Sequence, residues 1–301
     1  MESLKDVVTH ITHSHLATFI AGGRLDKKNC LIFAAYGDSL RQVLGNRALM
    51  PLPVNQVKAI AYQVASGVQF LHTHKLIHTN IKPENIVLVD GSTSEITTFG
   101  NQTFRQRVLL RSPIVRLVDY EHSEFTGVLR SYEVGTCEYR APEVTLGLPW
   151  SQPIDIFSLG CVIYELYTGS RLLHATKDIL ERLATIERAI GPFSETHVHE
   201  LRKQGVSLFG RDIPPRVSFP AAHHASEGAI PRVARTVSFT VSLGRLCHSG
   251  VGFNRARGEQ TYIKSKSLRH LLSRCLNPNS EERAVASSVV KHPYICSATH
   301  L

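Results

Sequence analysis

The sequence of 301 residues predicts an α+β fold that is mainly helical. Three patterns lead to this prediction. Apolar residues recur at helical spacing over residues 54–72, which is typical of an amphipathic helix. Two short runs rich in β-branched residues, 85–89 and 114–118, are typical of strands. A nearly continuous apolar segment over residues 154–169 predicts a buried helix that ends at its last residue, Gly169.

Three further helices are predicted over residues 176–190, 268–276 and 281–291. The two strand-like runs are separated by a polar, turn-rich segment, which predicts an insertion hairpin over residues 90–113. Residues 200–258 carry no clear periodicity and are rich in Arg, His, Ser and Gly. We interpret this stretch as a basic, loop-rich insertion.

The composition is that of an ordinary globular protein, with 43% hydrophobic and 20% charged residues. Lys and Arg number 34 against 25 Asp and Glu, which gives a formal charge of +9 and favours acidic partners. The 6 cysteines are scattered without a C-x-x-C pair, which indicates a reduced, intracellular protein. We expect no secretory signal and no membrane segment, because the longest apolar stretch is too short and carries Asp155 and Glu165.

Four motifs follow one another along the chain. The segment His78-Thr-Asn-Ile-Lys-Pro-Glu-Asn85 resembles the catalytic loop of protein kinases, H-x-D-x-K-P-x-N. Asp119-Tyr-Glu stands where that family has D-F-G, and Gly135-Thr-Cys-Glu-Tyr-Arg-Ala-Pro-Glu143 resembles the end of the activation segment. Asp155-Ile-Phe-Ser-Leu-Gly160 resembles the D-x-W-S-x-G start of a helix. Because these motifs occur in the family's order, the chain is identified as similar to protein kinases.

The resemblance narrows to the LAMMER (CLK-type) kinases, which are serine/threonine or dual-specificity enzymes. The segment Glu181-Arg-Leu-Ala-Thr-Ile-Glu-Arg-Ala-Ile-Gly-Pro192 resembles their signature E-H-L-A-M-M-E-R-I-L-G-P, and the insertion between Asn85 and Asp119 is typical of them. The implied fold is protein-kinase-like, with a mainly helical large lobe over residues 36–297. Residues 1–35 are expected to be a remnant of the small lobe, because no glycine-rich loop and no V-A-I-K lysine precede the hinge-like run at residues 30–36.

The resemblance implies a role for individual residues. Phosphoryl transfer requires charge neutralisation around the phosphates and an aligned acceptor hydroxyl. Asn85 and Asp119 would hold Mg²⁺, and Lys82, partnered by Thr136, would stabilise the transferred phosphoryl group. ATP is the implied nucleotide, with its adenine held by the hinge and by the floor residue: Phe33, Ala35 and Val87. Three implied roles are structural: His78 as a packed scaffold residue, Glu143 with Arg283 as a buried ion pair, and Asp155 as a cap on the catalytic loop.

Two departures from the family pattern decide the predicted activity. Asn80 replaces the aspartate that deprotonates the acceptor hydroxyl, and Glu121 replaces the glycine of D-F-G. We therefore predict a catalytically impaired kinase, a pseudokinase that acts by binding proteins. In addition, Thr79 replaces the arginine with which most kinases bind an activation-segment phosphate, so phosphorylation there is expected to be weakly coupled to activity.

Two other functions remain open. One is an active kinase that transfers phosphate from ATP to arginine/serine-rich splicing factors in the nucleus, with the cytoplasm as the other compartment. The second is a nucleic-acid-binding protein that uses the basic insertion at residues 200–258. The second is less favoured, because no aromatic residues alternate with the arginines as single-strand binding would require.

Overall fold

The computed structural model describes residues 13–100, 103–120, 122–211, 213–218, 252–254, 259–261 and 266–296. The chain divides into two compact units: residues 1–128 together with 286–301, and residues 129–285. No helix among the described residues is both long enough and apolar enough to cross a membrane. The boundary predicted between residues 35 and 36 stays a prediction.

The first unit contains most of the strands and one long helix. Its helices are α1 (Leu40–Gly45), α2 (Val54–Thr73), α8 (Ala286–Val290) and α9 (Pro293–Cys296). Its strands are β1 (Phe19–Leu25), β2 (Lys28–Phe33), β3 (Leu76–Ile77), β4 (Ile86–Leu88), β5 (Thr93–Gly100), β6 (Thr103–Leu110), β7 (Val115–Leu117) and β8 (Glu124–Phe125). The described residues of this unit form four antiparallel strand pairs: β1 with β2, β3 with β8, β4 with β7, and β5 with β6.

The described part of the second unit is mainly helical. Its helices are α3 (Pro142–Thr145), α4 (Pro153–Thr168), α5 (Ile179–Ile190), α6 (Glu195–Lys203) and α7 (Lys266–Cys275). A short antiparallel pair, β9 (Gly252–Asn254) with β10 (Glu259–Thr261), accompanies them.

Helix α2 forms the centre of the first unit. Its apolar stripe, from Val57 through Ile60 and Val64 to Leu71, is almost completely buried, as helical spacing of apolar residues requires. The helix also holds the return of the β5–β6 hairpin. Gln63 donates from Nε2 to Pro113 O at 2.8 Å and accepts at Oε1 from Val115 N at 3.0 Å. One side chain thereby satisfies two backbone groups just before and at the start of β7.

Helix α4 is buried on nearly every side, which explains its continuous apolar sequence. It ends at Gly169, whose φ of 72° lies in the left-handed region that glycine adopts without steric cost. At Gly160 the helix meets Leu276 so closely that a Cβ atom would lie 2.9 Å from Leu276 Cδ2. The glycine is therefore required for close packing in the second unit.

Three of the differences between the helix boundaries and the sequence expectations exceed two residues. Helix α5 begins at Ile179 rather than at residue 176, because the Asp178 side chain accepts from Glu181 N at 2.9 Å and caps the helix. Helix α6 continues to Lys203, inside the stretch expected to be irregular. Residues 281–285 precede α8 instead of forming its first turn, because the Asn279 side chain accepts from Glu281 N and stabilises a turn.

Candidate active site

The β4–β7 ladder brings together the two residues expected to bind metal. Ile86 pairs with Leu117 in this ladder, and Val118 N donates to Asn85 O at 3.0 Å. Asn85 and Asp119 therefore lie just beyond the same end of the two-stranded sheet. Asn85 Nδ2 donates to Asp119 Oδ2 at 2.8 Å and to the backbone oxygen of Asn80 at 2.9 Å. The two side chains meet although 34 positions separate them in sequence.

His78 makes hydrogen bonds to both of the segments that carry this pair. Its side chain is fully buried, and its Nδ1 accepts from Asn80 N at 3.3 Å. Because Nδ1 is the acceptor in this arrangement, Nε2 carries the proton and donates to Val118 O at 3.0 Å. The histidine thus links the residue before Asp119 to the loop that carries Asn80.

Two residues in this region adopt left-handed backbone conformations. Asp119 has a φ of 71° and Thr79 a φ of 69°. Such values are uncommon outside glycine, and a β-branched residue adopts them only when its surroundings impose them. Thr79 Oγ1 donates to His122 O at 2.9 Å, which fixes the chain three residues beyond Asp119. Glu121 itself lies outside the described residues.

Asn80 and Lys82 are both half-buried residues of the same loop. Between Lys82 and Asn85, Glu84 accepts from Arg41 Nε at 2.8 Å. Burial alone would raise the pKa of Glu84, but the hydrogen bond and charge of Arg41, with a contribution from Lys82, hold it below its usual value. The carboxylate of Glu84 is therefore ionised and paired beside Lys82.

The two residues that follow the hinge-like run pair with β4. Gly37 N donates to Leu88 O at 2.8 Å, and Leu88 N donates to Asp38 O at 2.9 Å. The three residues expected to hold adenine are Phe33 at the end of β2, the exposed Ala35, and the half-buried Val87 in β4. Their contact with a nucleotide stays a prediction.

The residues present fit a magnesium ion bound together with a nucleotide. Mg²⁺ prefers one or two carboxylates, with phosphate and water oxygens completing its shell. Asp119 supplies one carboxylate, and Asn85, whose amide nitrogen makes both of its described hydrogen bonds, offers its Oδ1 atom. The pair provides hard oxygen ligands within one hydrogen bond of each other.

The other expected site residues lie in the second unit. Arg283 donates from Nη1 and Nη2 to the two carboxylate oxygens of Glu143, at 2.6 and 2.8 Å. Asp155 is fully buried at the start of α4. Thr136 precedes a 3₁₀ turn in which Tyr139 N donates to Thr136 O at 2.9 Å. The roles expected for Thr136 beside Lys82 and for Asp155 at the catalytic loop stay predictions.

Sequence reasoning missed the part played by Tyr120. This side chain is 5% exposed, and its hydroxyl makes two backbone hydrogen bonds. The one available signal was the tyrosine in the middle of Asp119-Tyr-Glu, where D-F-G has a phenylalanine. A buried tyrosine that replaces phenylalanine requires a partner for its hydroxyl.

Comparison with known proteins identifies the family to which the chain belongs. The chain matches the protein kinase domain family over residues 5–295. The chain belongs to the protein kinase family. A kinase domain solved by crystallography has a TM-score of 0.78, with 23% identity, over 96% of this chain and 81% of its own length, which shows that the two share a fold.

Several CLK-type kinases are similar to this kinase domain in sequence. The dual specificity protein kinase CLK2 of Homo sapiens is 40% identical over 182 residues, covering 60% of this chain and 36% of the human protein. The serine/threonine-protein kinase AFC2 of Arabidopsis thaliana is 30% identical over 252 residues, covering 80% of this chain and 58% of the plant protein. This kinase domain therefore corresponds to only part of the length of these relatives.

Proposed function

We propose that this kinase domain binds Mg²⁺ and ATP, transfers phosphate poorly, and acts mainly by binding protein partners. The observation that carries the proposal is that an asparagine, Asn80, lies in the same loop as Asn85, which is expected to be a metal ligand. Asn85 Nδ2 ties the backbone of Asn80 to the same amide that contacts Asp119. The loop is thus anchored, while the group that would accept the proton has been replaced.

The chemical consequence follows from the amide. A carboxylate at this position accepts the proton of the acceptor hydroxyl, whereas the carboxamide of Asn80 accepts a hydrogen bond but remains unprotonated near neutral pH. General-base assistance is commonly worth about 10²–10⁴ in rate. Positioning and electrostatic stabilisation by Lys82, Asn85 and Asp119 are independent of that proton transfer. Slow transfer with retained binding is the expected combination.

Glu121 adds a second reason for low activity. In the sequence it lies two residues after Asp119 and places a negative charge where D-F-G has glycine. A carboxylate near a triphosphate raises the free energy of the bound nucleotide through like-charge repulsion unless a cation neutralises it. We therefore expect nucleotide binding to depend strongly on the divalent cation.

A thermal-shift titration with ATP tests the binding half of the proposal. The purified chain is titrated with ATP in the presence and absence of Mg²⁺, with Asp119→Ala as the control. A ligand that binds only the folded state raises the melting temperature by mass action. We expect a shift that requires both Mg²⁺ and Asp119. No shift at millimolar ATP would overturn nucleotide binding.

A phosphotransfer assay tests the other half. The same preparation is incubated with radiolabelled ATP and a generic protein substrate, again with Asp119→Ala as the control. We expect incorporation close to that of the control. Rapid incorporation that Asp119→Ala abolishes would overturn the proposal.

The second candidate function is an active kinase for serine residues of arginine/serine-rich splicing proteins in the nucleus. The observation in its favour is that Asn85 and Asp119 are in contact and that Lys82 belongs to the same anchored loop. A peptide of alternating arginine and serine serves as the substrate that distinguishes the two candidates. Efficient labelling of this peptide by wild type, and none by Asp119→Ala, would support the active kinase.

A further inference from the structure

The hydroxyl group of Tyr120 bridges two backbone groups of the first unit that also bond each other, because Ala17 N donates to Leu117 O at 3.0 Å. It accepts from Ala17 N at 3.0 Å and donates to Leu117 O at 2.8 Å. Ala17 lies 103 positions away in sequence. The side chain of Tyr120 is buried, and its hydroxyl acts as both donor and acceptor in these two hydrogen bonds. The side chain is therefore anchored at its far end.

The ring of Tyr120 is held as well as its hydroxyl. Its centroid lies 5.8 Å from that of His78 and 5.9 Å from that of Phe33. A phenylalanine would fill the same slot and keep these ring contacts, but it would make neither backbone hydrogen bond. The chemical difference between the two side chains is confined to the hydroxyl.

Asp119 needs such anchoring because its backbone is strained. Its left-handed φ of 71° costs free energy that neighbouring contacts must offset. On the side of Val118, the chain is fixed by Asn85 O and by His78 Nε2. On the other side, Tyr120 is the first residue whose side chain is fixed, and the turn in which Ser123 N donates to Tyr120 O at 3.0 Å follows it.

We propose that the Tyr120 hydroxyl is a positioning group that holds the Asp119 carboxylate against Asn85 before any ligand binds. The proposal rests on the proposed function only for the identity of the ligand, which is a divalent cation with a nucleotide. A site that is already ordered loses less conformational entropy on binding. If Asp119 were only partly in place, the apparent affinity for the cation complex would fall by that fraction.

Hydrogen exchange of the ligand-free protein tests the proposal directly. The wild type is compared with Tyr120→Phe and with the matched control Tyr36→Phe. Tyr36 offers a comparable hydroxyl, which accepts from Thr18 N at 2.9 Å and donates to Thr18 Oγ1 at 3.2 Å, one residue beyond Ala17. Both variants lose a hydroxyl that contacts the same segment, but only Tyr120 adjoins Asp119.

We expect Tyr120→Phe to speed amide exchange over residues 117–123 by about two- to tenfold, which corresponds to the loss of about one ordinary hydrogen bond. Exchange in α2 should be unchanged, and Tyr36→Phe should leave residues 117–123 as in wild type. Unchanged exchange at residues 117–123 in Tyr120→Phe would overturn the proposal. A rise spread equally over α2 would also overturn it, because the hydroxyl would then only stabilise the unit as a whole.

A binding measurement separates this proposal from the proposed function. Titration of the protein with Mn²⁺ and ATP is expected to show weaker binding to Tyr120→Phe than to wild type, by about two- to tenfold. Equal affinity of wild type and Tyr120→Phe would contradict the positioning role. If the wild type itself bound no Mn²⁺ and ATP, the proposed function would fail, whereas the exchange result would still decide the role of Tyr120.

Discussion

Arg283 holds both carboxylate oxygens of Glu143, although the two residues lie 140 positions apart in sequence. Their side chains are 0% and 7% exposed. The same guanidinium donates to Pro153 O at 2.9 Å, and its Nε donates to Asn277 O at 2.8 Å. One buried cation therefore ties α3, the start of α4 and the loop after α7 together within the second unit.

Removal of one partner of this pair should destabilise the protein strongly. Glu143→Gln leaves the Arg283 charge buried without its carboxylate, and such a change commonly costs about 3–5 kcal/mol. Urea denaturation measures the loss in the free energy of unfolding. As the control, Lys203→Ala breaks an exposed pair with Glu200 and should cost less than about 1 kcal/mol. Equal effects of the two substitutions would contradict a structural role for the buried pair.

Restoring a carboxylate at residue 80 should restore phosphate transfer. Asn80→Asp keeps the backbone contact with Asn85 and adds a general base, so we expect the transfer rate to rise by about 10²–10⁴. Initial rates with radiolabelled ATP measure the gain. Asn80→Ala and the double variant Asn80→Asp with Asp119→Ala should both remain at the background rate. A rate unchanged by Asn80→Asp would show that the missing base is not what limits transfer.

Gln63 should be important for the stability of the first unit. Gln63→Leu leaves Pro113 O and Val115 N without the partner that the glutamine provides, and we expect a loss of about 2 kcal/mol in the free energy of unfolding. Urea denaturation again provides the measurement. Gln69→Leu changes a half-buried glutamine of the same helix and should have little effect. A larger loss of unfolding free energy for Gln69→Leu than for Gln63→Leu would contradict a stabilising role for the Gln63 hydrogen bonds.

The stability of the first unit should fall in mild acid because of His15. Burial, followed by the charges of His13 and Arg116, lowers the pKa of His15 from 6.5 to about 4. Between these values the unfolded chain binds a proton that the folded chain does not. The contribution of His15 to the free energy of unfolding is therefore complete above pH 6.5 and is lost as the pH falls towards 4. His15→Gln should flatten the pH dependence of the melting temperature over this range.

Two other histidines, His13 and His74, determine how this pH experiment is interpreted and controlled. His13 has a pKa that burial and Arg116 also lower, so His15→Gln should leave part of the acid sensitivity in place. The exposed His74, whose ring nitrogen bonds Phe70 O at 2.8 Å, provides the matched variant His74→Gln. An equal flattening of the pH profile by His74→Gln would show that His15 is not responsible.

Local patterns in the sequence predicted the elements that are long or regularly spaced. The apolar periodicity over residues 54–72 corresponds to α2, Val54–Thr73, because burial of one face determines both the pattern and the helix. Caps were harder to foresee. The start of α5 depends on one hydrogen bond of Asp178, and several residues upstream would have served the apolar pattern equally well.

Only part of the candidate site could be predicted from the sequence. The contact of Asn85 with Asp119 could be anticipated, because the two residues flank two short strands that pair with each other, and the resemblance assigned both as expected metal ligands. The partners of Tyr120 could not, because Ala17 N belongs to a segment with no sequence pattern that marks it as a neighbour. Hydrogen bonds between distant backbone and side-chain atoms depend on the finished fold and leave no periodic trace in the chain.

The β5–β6 hairpin lies in sequence between Asn85 and Asp119, and hydrogen bonds fix both of its strands at the base. Ser92 O accepts from Arg111 N at 3.0 Å at its base, and Gln56 Nε2 donates to Leu110 O at 2.8 Å. These bonds hold the base of the hairpin without involving Asn85 or Asp119. A fluorophore or a short affinity tag inserted between β5 and β6 would report on this protein in cells while leaving the Asn85–Asp119 contact undisturbed.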